Sequence, residues 1–114
     1  LDACKSLAFM QVNPRFQEDT YKLNMQKSDQ FRTLAAEFGT SASALAIAWL
    51  LAKGEHVVPI PGTRSVSHLD ELAAGAGLSL SPTDLRAVEQ ALPVGWCHGD
   101  RYTADQWRGP ERYC

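Results

Sequence analysis

"HVVPIPGTRSVSHLDEL", residues 56–72, runs from an apolar, β-branched segment through Pro-Gly into charged, helix-like sequence. Residues 56–61 form an apolar run rather than an alternation, the pattern of a strand covered on both faces as in parallel sheets. Pro59 removes one ladder donor, so such a strand is distorted or partly unpaired at that point. Residues 65–75 predict a helix that begins near Ser65 and fades at Gly75. A strand feeding a turn and a helix N-terminus presents backbone amides and a positive dipole end. Thr63 and Arg64 sit in that turn, where hydroxyl and guanidinium can both donate to phosphate oxygens. His68 lies one turn into the helix, and Glu71 shares its face three residues on. A phosphorylated ribose carrying adenine suits this row of groups. A solvated arginine followed by a surface His68–Glu71 pair suits it too, and on the residues alone both readings stand.

Working outward, the pattern is helical on both sides. Leu23, Lys27, Phe31, Leu34, Ala35 and Phe38 trace a stripe, apolar except at Lys27, from Thr20 to the stop signal at Gly39. In "TSASALAIAWLLAKG", residues 40–54, Ser41 reads as an N-cap, Leu45, Ala48, Trp49 and Ala52 as the buried face, and Gly54 as the end. Its many alanines permit close approach to a neighbouring layer. "LSPTDLRAVEQALP", residues 80–93, has Ser81 as N-cap, Pro82 at the first helical position and Asp84 in the first turn, with Leu85, Val88 and Leu92 on the apolar side. Residues 1–19 read as an irregular lead-in, 20–92 as helices plus the strand at 56–61, and 93–114 as a tail loop rich in aromatics, Gly and Arg. The inventory is therefore about four helices and a single interior-type strand that lacks the neighbours a parallel strand needs.

Bulk properties narrow the function classes. A chain of 114 residues with 45% hydrophobic and 21% charged residues is an ordinary globular composition of one-domain size. Net charge −2 offers no basic field for nucleic acid or an anionic membrane. The longest apolar run, residues 44–52, is far shorter than the roughly 20 residues of a membrane span. No signal peptide is visible, and the expected location is cytoplasmic. Cys4, Cys97 and Cys114 are too few and too scattered for a disulfide framework, and read as free thiols. His98 has no Cys or His at metal-ligand spacing, so no metal site is expected. Leu1 in place of an initiator Met suggests a processed or excised piece.

The chain resembles the C-terminal third of the NADP-dependent aldo-keto reductases. The resemblance is carried by "IPGTR", residues 60–64, with "HLDEL" at 68–72, by the run from "NPRFQEDTYKLN" at 13–24 onward, by 80–93, and by "GDRYTADQW" at 99–107. It implies the α/β fold of a (β/α)8 TIM barrel, represented by a mostly helical C-terminal portion with one or two short parallel strands. It also implies carbonyl reduction by hydride transfer from NADP(H). The family's phosphate contacts fall on Gly62, Thr63 and Arg64, and its adenine-side carboxylate on Glu71. His68 replaces a common arginine, losing a fixed charge and a bidentate fork. Leu72 replaces an asparagine that often accompanies the carboxylate. Both departures weaken the expected grip. Trp96, Tyr102 and Trp107 fall in the tail loop that lines the family's substrate pocket, although covering helix ends is an equal reading.

The motifs surrounding the family's catalytic tyrosine, lysine, aspartate and histidine do not occur, and Tyr21, Tyr102 and Tyr113 lie in no segment that resembles them. No catalytic residue is therefore assigned. The leading expectation is one incomplete aldo-keto reductase-like unit over 1–114 that anchors a nicotinamide dinucleotide, alone inactive, with the missing barrel portion as partner. The alternative is a non-catalytic remnant, mainly α, that self-associates as a structural module, perhaps as a strand-paired dimer of two copies.

Overall fold

The computed structural model describes residues 8–107, apart from the side chain of Phe9. Cys4, Tyr113 and Cys114 lie outside the described residues. Helices are α1 (Ala8–Val12), α2 (Glu18–Glu37), α3 (Ala42–Leu51), α4 (Val66–Ala74) and α5 (Pro82–Ala91), with 3-10 turns at Pro14–Phe16, Gly75–Gly77 and Ala104–Trp107. Residues 30–92 gather into one compact unit, and 8–29 with 93–107 into another.

Local chemistry accounts for the helix boundaries in the first unit. Thr40 N–H donates to Ala35 O at 3.0 Å and Gly39 N–H to Ala36 O at 2.9 Å, with Gly39 at φ +66°. This paired arrangement closes α2 and needs a residue that tolerates the left-handed region. The Ser41 hydroxyl accepts from Ala44 N–H at 3.1 Å and starts α3. Ser81 and Asp84 form a reciprocal capping box, 2.8 Å from Ser81 N–H to the carboxylate and 3.2 Å from Asp84 N–H to the hydroxyl.

Phe31, Ala35, Leu45 and Val88 form the core of this unit, with Leu34, Phe38, Trp49, Leu78, Leu80 and Leu92 packed around them. Ala44 and Ile47 are also buried, because α4 runs into the 3-10 turn at Gly75 and meets α3 there. A Cβ on Gly75 would stand 2.5 Å from Ala44 O and 2.8 Å from Ile47 Cβ. The small residues of α3 thus admit a close approach whose other side is a glycine. Lys53, just past α3, pairs with Glu89 on α5 and lies 4.3 Å from the centre of the Trp49 ring.

Three expectations are corrected. Among the described residues there is no strand, and 56–61 is an irregular extended segment. Pairing makes a strand, and the only backbone bond recorded at its start is a turn, Val57 N–H to Gly54 O at 3.0 Å. Val58 and Ile60 are 78% and 92% exposed, so the apolar run is uncovered rather than enclosed. Leu23 and Ala52, assigned to buried faces, are exposed, Ala52 because it is the C-cap of α3. The lead-in contains α1, a 3-10 turn and the start of α2, which begins at Glu18 rather than Thr20.

The second unit is held by side-chain amides. Buried Asn13 accepts from Arg15 N–H at 3.0 Å and donates through Nδ2 to Arg101 O at 2.9 Å. Asn24 accepts from His98 N–H at 2.7 Å and donates to His98 O at 2.9 Å, giving that residue the pair of bonds a neighbouring strand would give. The Arg15 Nε–H reaches Gly99 O at 3.3 Å. Gly99, at φ +83°, approaches so closely that a Cβ would be 2.7 Å from Pro14 O. The tail loop, with no ladder of its own, satisfies its backbone on the segment 74 to 88 residues earlier.

No single helix among the described residues is long and apolar enough to cross a membrane. Helices α2 and α3 are bent by 84° at their junction, and the apolar residues of α3 are spent on the core.

Candidate functional site

The segment after the extended run folds as a helix start. Thr63 Oγ1 accepts from Ser65 N–H at 3.2 Å and lies 3.3 Å from Ser65 O, a tight turn made by the side chain itself. The Ser65 hydroxyl, 2.8 Å from Ser67 Oγ, accepts from His68 N–H at 3.4 Å and caps α4. Two of the four N–H groups that a helix start leaves without intrahelical acceptors are thereby occupied. The other two, on Val66 and Ser67, have no acceptor among the described residues.

Gly62, Thr63, Arg64, Ser65 and His68 line one open hollow of about 880 Å³. Arg64 and His68 are exposed, and neither side chain has an ion pair or hydrogen bond with any described residue. Nothing stands within 4 Å of where a Cβ on Gly62 would be, so the floor of the turn is open. The hollow therefore combines one permanent cation, one titratable ring and two free amides at the positive end of a nine-residue helix. Such a set takes an anion.

Of the residues singled out from sequence, Gly62, Thr63, Arg64 and His68 are brought together here. Glu71 is exposed and Leu72 half-buried further along α4, and neither lines the hollow. The Thr63 hydroxyl serves its own turn. Ser65 was marked only as a helix start, and its hydroxyl also lines the hollow. Trp96, Tyr102 and Trp107 belong to the second unit. Tyr102 and Trp107 meet edge to face, 5.2 Å between centres at 86°, and Arg101 lies over the Tyr102 ring at 5.5 Å. Cys97 is a free thiol. Among the described residues no three His, Cys, Asp or Glu side chains converge as metal ligands.

Two carboxylates have proton affinities set by their neighbours. The Ser81 hydroxyl, and then its amide, holds Asp84 below the ordinary carboxylate range. The Lys53 ammonium, by hydrogen bond and then by charge, does the same for Glu89. The buried Trp49 Nε1–H makes no hydrogen bond of normal geometry, yet lies near enough to Glu89 to add slightly to that lowering.

The family model for the aldo/keto reductase family matches residues 5–93, which include the whole unit that carries the hollow. The chain belongs to the aldo/keto reductase family. "Probable aldo-keto reductase 1" of Glycine max is 37% identical over 93 residues, 82% of this chain and 27% of its own length. "Aldo-keto reductase yakc [NADP(+)]" of Schizosaccharomyces pombe is 29% identical over 94 residues, 82% of this chain and 28% of its own length. The chain thus spans little more than a quarter of the curated relatives it matches. No solved structure matches it. For an aldo/keto reductase, whose family fold is a TIM barrel, a mostly helical portion with an extended, uncovered segment is what part of a barrel leaves when its neighbouring strands are not among the described residues.

Proposed function

We propose that this aldo/keto reductase chain anchors the phosphorylated adenosine end of NADP(H) and supplies no chemical step of its own. The observation that carries the reading is the hollow at 62–68, where Arg64 and His68 stand unneutralised beside two free amides. Arg64 would take phosphate oxygens through its planar fork, with the Val66 and Ser67 amides as neutral donors. Glu71, one turn past the hollow, would reach the adenine amino group. The bound cofactor would supply the hydride for reducing a carbonyl. This chain's residues would hold the dinucleotide at its far end, where remote binding energy positions the reacting ring. The relative that carries NADP(+) in its name supports the choice of cofactor.

Calorimetric titration of the chain with NADPH and NADH tests the grip. Tighter binding of NADPH is expected, and Arg64→Ala should weaken NADPH by about tenfold or more, as loss of a charge-assisted hydrogen bond does, while leaving NADH little changed. Equal loss for both cofactors would remove the 2′-phosphate role. The purified chain should not reduce a simple aldehyde with NADPH; turnover at ordinary enzyme rates would show that the catalytic groups are present after all.

A second reading is favoured by one observation, the extended segment 57–61 with Val58 and Ile60 bare to solvent. An unpaired, apolar, extended backbone is a template for strand addition. In this reading the chain is a self-associating structural module in which two copies pair along that segment.

A further inference from the structure

We infer that His68 makes the phosphate grip depend on pH, so that a ribose phosphate monoester is held more tightly as the solution is acidified through the imidazole range. This rests on the cofactor-anchoring reading above. The hollow has two cationic side chains, Arg64 and His68, and only the first carries its charge at every physiological pH. Imidazole ordinarily gains its proton between about pH 8 and pH 5. A dianionic monoester therefore meets one positive side chain at high pH and two at low pH.

The surroundings leave that difference undamped. On α4 itself the charged groups near His68 are Asp70 and Glu71, and Arg64 precedes it by four residues. The elements packed against α4 are α3 and the 3-10 turn Gly75–Gly77. Neither contains a titratable residue, since α3 reads ASALAIAWLL and the turn GAG. No described side chain pairs with the His68 ring. The Ser65 hydroxyl engages the His68 backbone N–H, which fixes the start of the helix and leaves both ring nitrogens for a ligand. An arginine at 68 would make the grip strong and independent of pH. Histidine makes its second charge conditional.

The experiment is calorimetric titration of the whole chain with NADP+ and NAD+, both stable in mild acid, at steps from about pH 8 down to about pH 5.5. The monoester loses part of its own second charge near pH 6. That loss acts alike on wild type, His68→Asn and His68→Arg, so the ratio between proteins isolates residue 68. Dividing the wild-type affinity for NADP+ by that of His68→Asn should give a ratio near one at the alkaline end. It should rise to on the order of threefold to tenfold at the acid end, as expected for a partly exposed charged contact. The ratio of His68→Arg to wild type should fall over the same range. NAD+ should show neither trend. If wild type and His68→Asn keep a constant ratio while NADP+ still binds in preference to NAD+, the pH inference fails and the anchoring reading survives. If NADP+ binds at no pH, or no better than NAD+, both fail.

Discussion

At the scale of single residues, two asparagines do work that a strand neighbour would otherwise do. Asn13 is buried, and its amide spends both ends on backbone groups. Replacing it with alanine strands the Arg101 carbonyl and the Arg15 N–H together. Unfolding by urea should show Asn13→Ala less stable by about 1–3 kcal/mol, the cost of leaving such groups unmade. Asn24 is the more local device. Asn24→Ala should leave overall stability less affected but raise the hydrogen-exchange rate of the His98 amide, whose acceptor is the Asn24 side chain. Unchanged exchange at His98 would mean that the tail loop is held by something else. Sequence reading missed both residues. An asparagine before proline is an ordinary turn signal, and nothing local says that its other end reaches a carbonyl 88 positions away.

At the scale of elements, Gly75 separates two opposing effects. Its φ of −61° is ordinary helical backbone, so alanine there should gain about 0.5–1 kcal/mol of propensity. The added Cβ would, however, meet the Ala44 carbonyl oxygen at 2.5 Å, and backbone cannot rotate aside. Overpacking of about 1–3 kcal/mol should win, and Gly75→Ala should melt at lower temperature than wild type. A higher melting temperature would show that α3 and α4 move apart easily. The α5 cap has its own signature. Asp84 has a folded-state proton affinity below that of the unfolded chain, so its stabilising effect is complete above the ordinary carboxylate range, near pH 4, and lost as pH falls through its lower folded value. Glu89, lowered by Lys53, acts in the same direction. Asp84→Asn should therefore flatten the acid limb of a stability-against-pH curve relative to wild type, and an unchanged limb would exclude the capping box as its source.

At the scale of the whole molecule, the fully buried apolar side chains among the described residues are few and small, Leu45 being the largest with almost no exposure. A modest core gives a modest margin of stability, and exposed Val58, Ile60, Val66 and Leu69 leave apolar surface uncovered. Light scattering should find concentration-dependent association, reduced in Ile60→Lys. Because Ile60 is 92% exposed, the same substitution should change monomer stability by less than about 0.5 kcal/mol. Association indifferent to this change would move the self-pairing reading away from the extended segment.

What the chain encodes locally was legible in it. Ser41, Ser65 and Ser81 cap the helices they open, Gly39 ends α2, and Leu45 and Val88 lie in the core, because caps and helical periodicity act over three or four residues. The turn after residue 61 was legible for the same reason, and it collects Gly62, Thr63, Arg64 and His68 at one hollow. Pairing was not legible. Val57 to Ile60 has the composition of an interior strand, but composition supplies only a preference, and a ladder exists only where a second backbone meets the first. The loop at 97–101 lies against residues 13–24 through amide side chains because distant contacts, and no local rule, decide where unpaired backbone finds its partners.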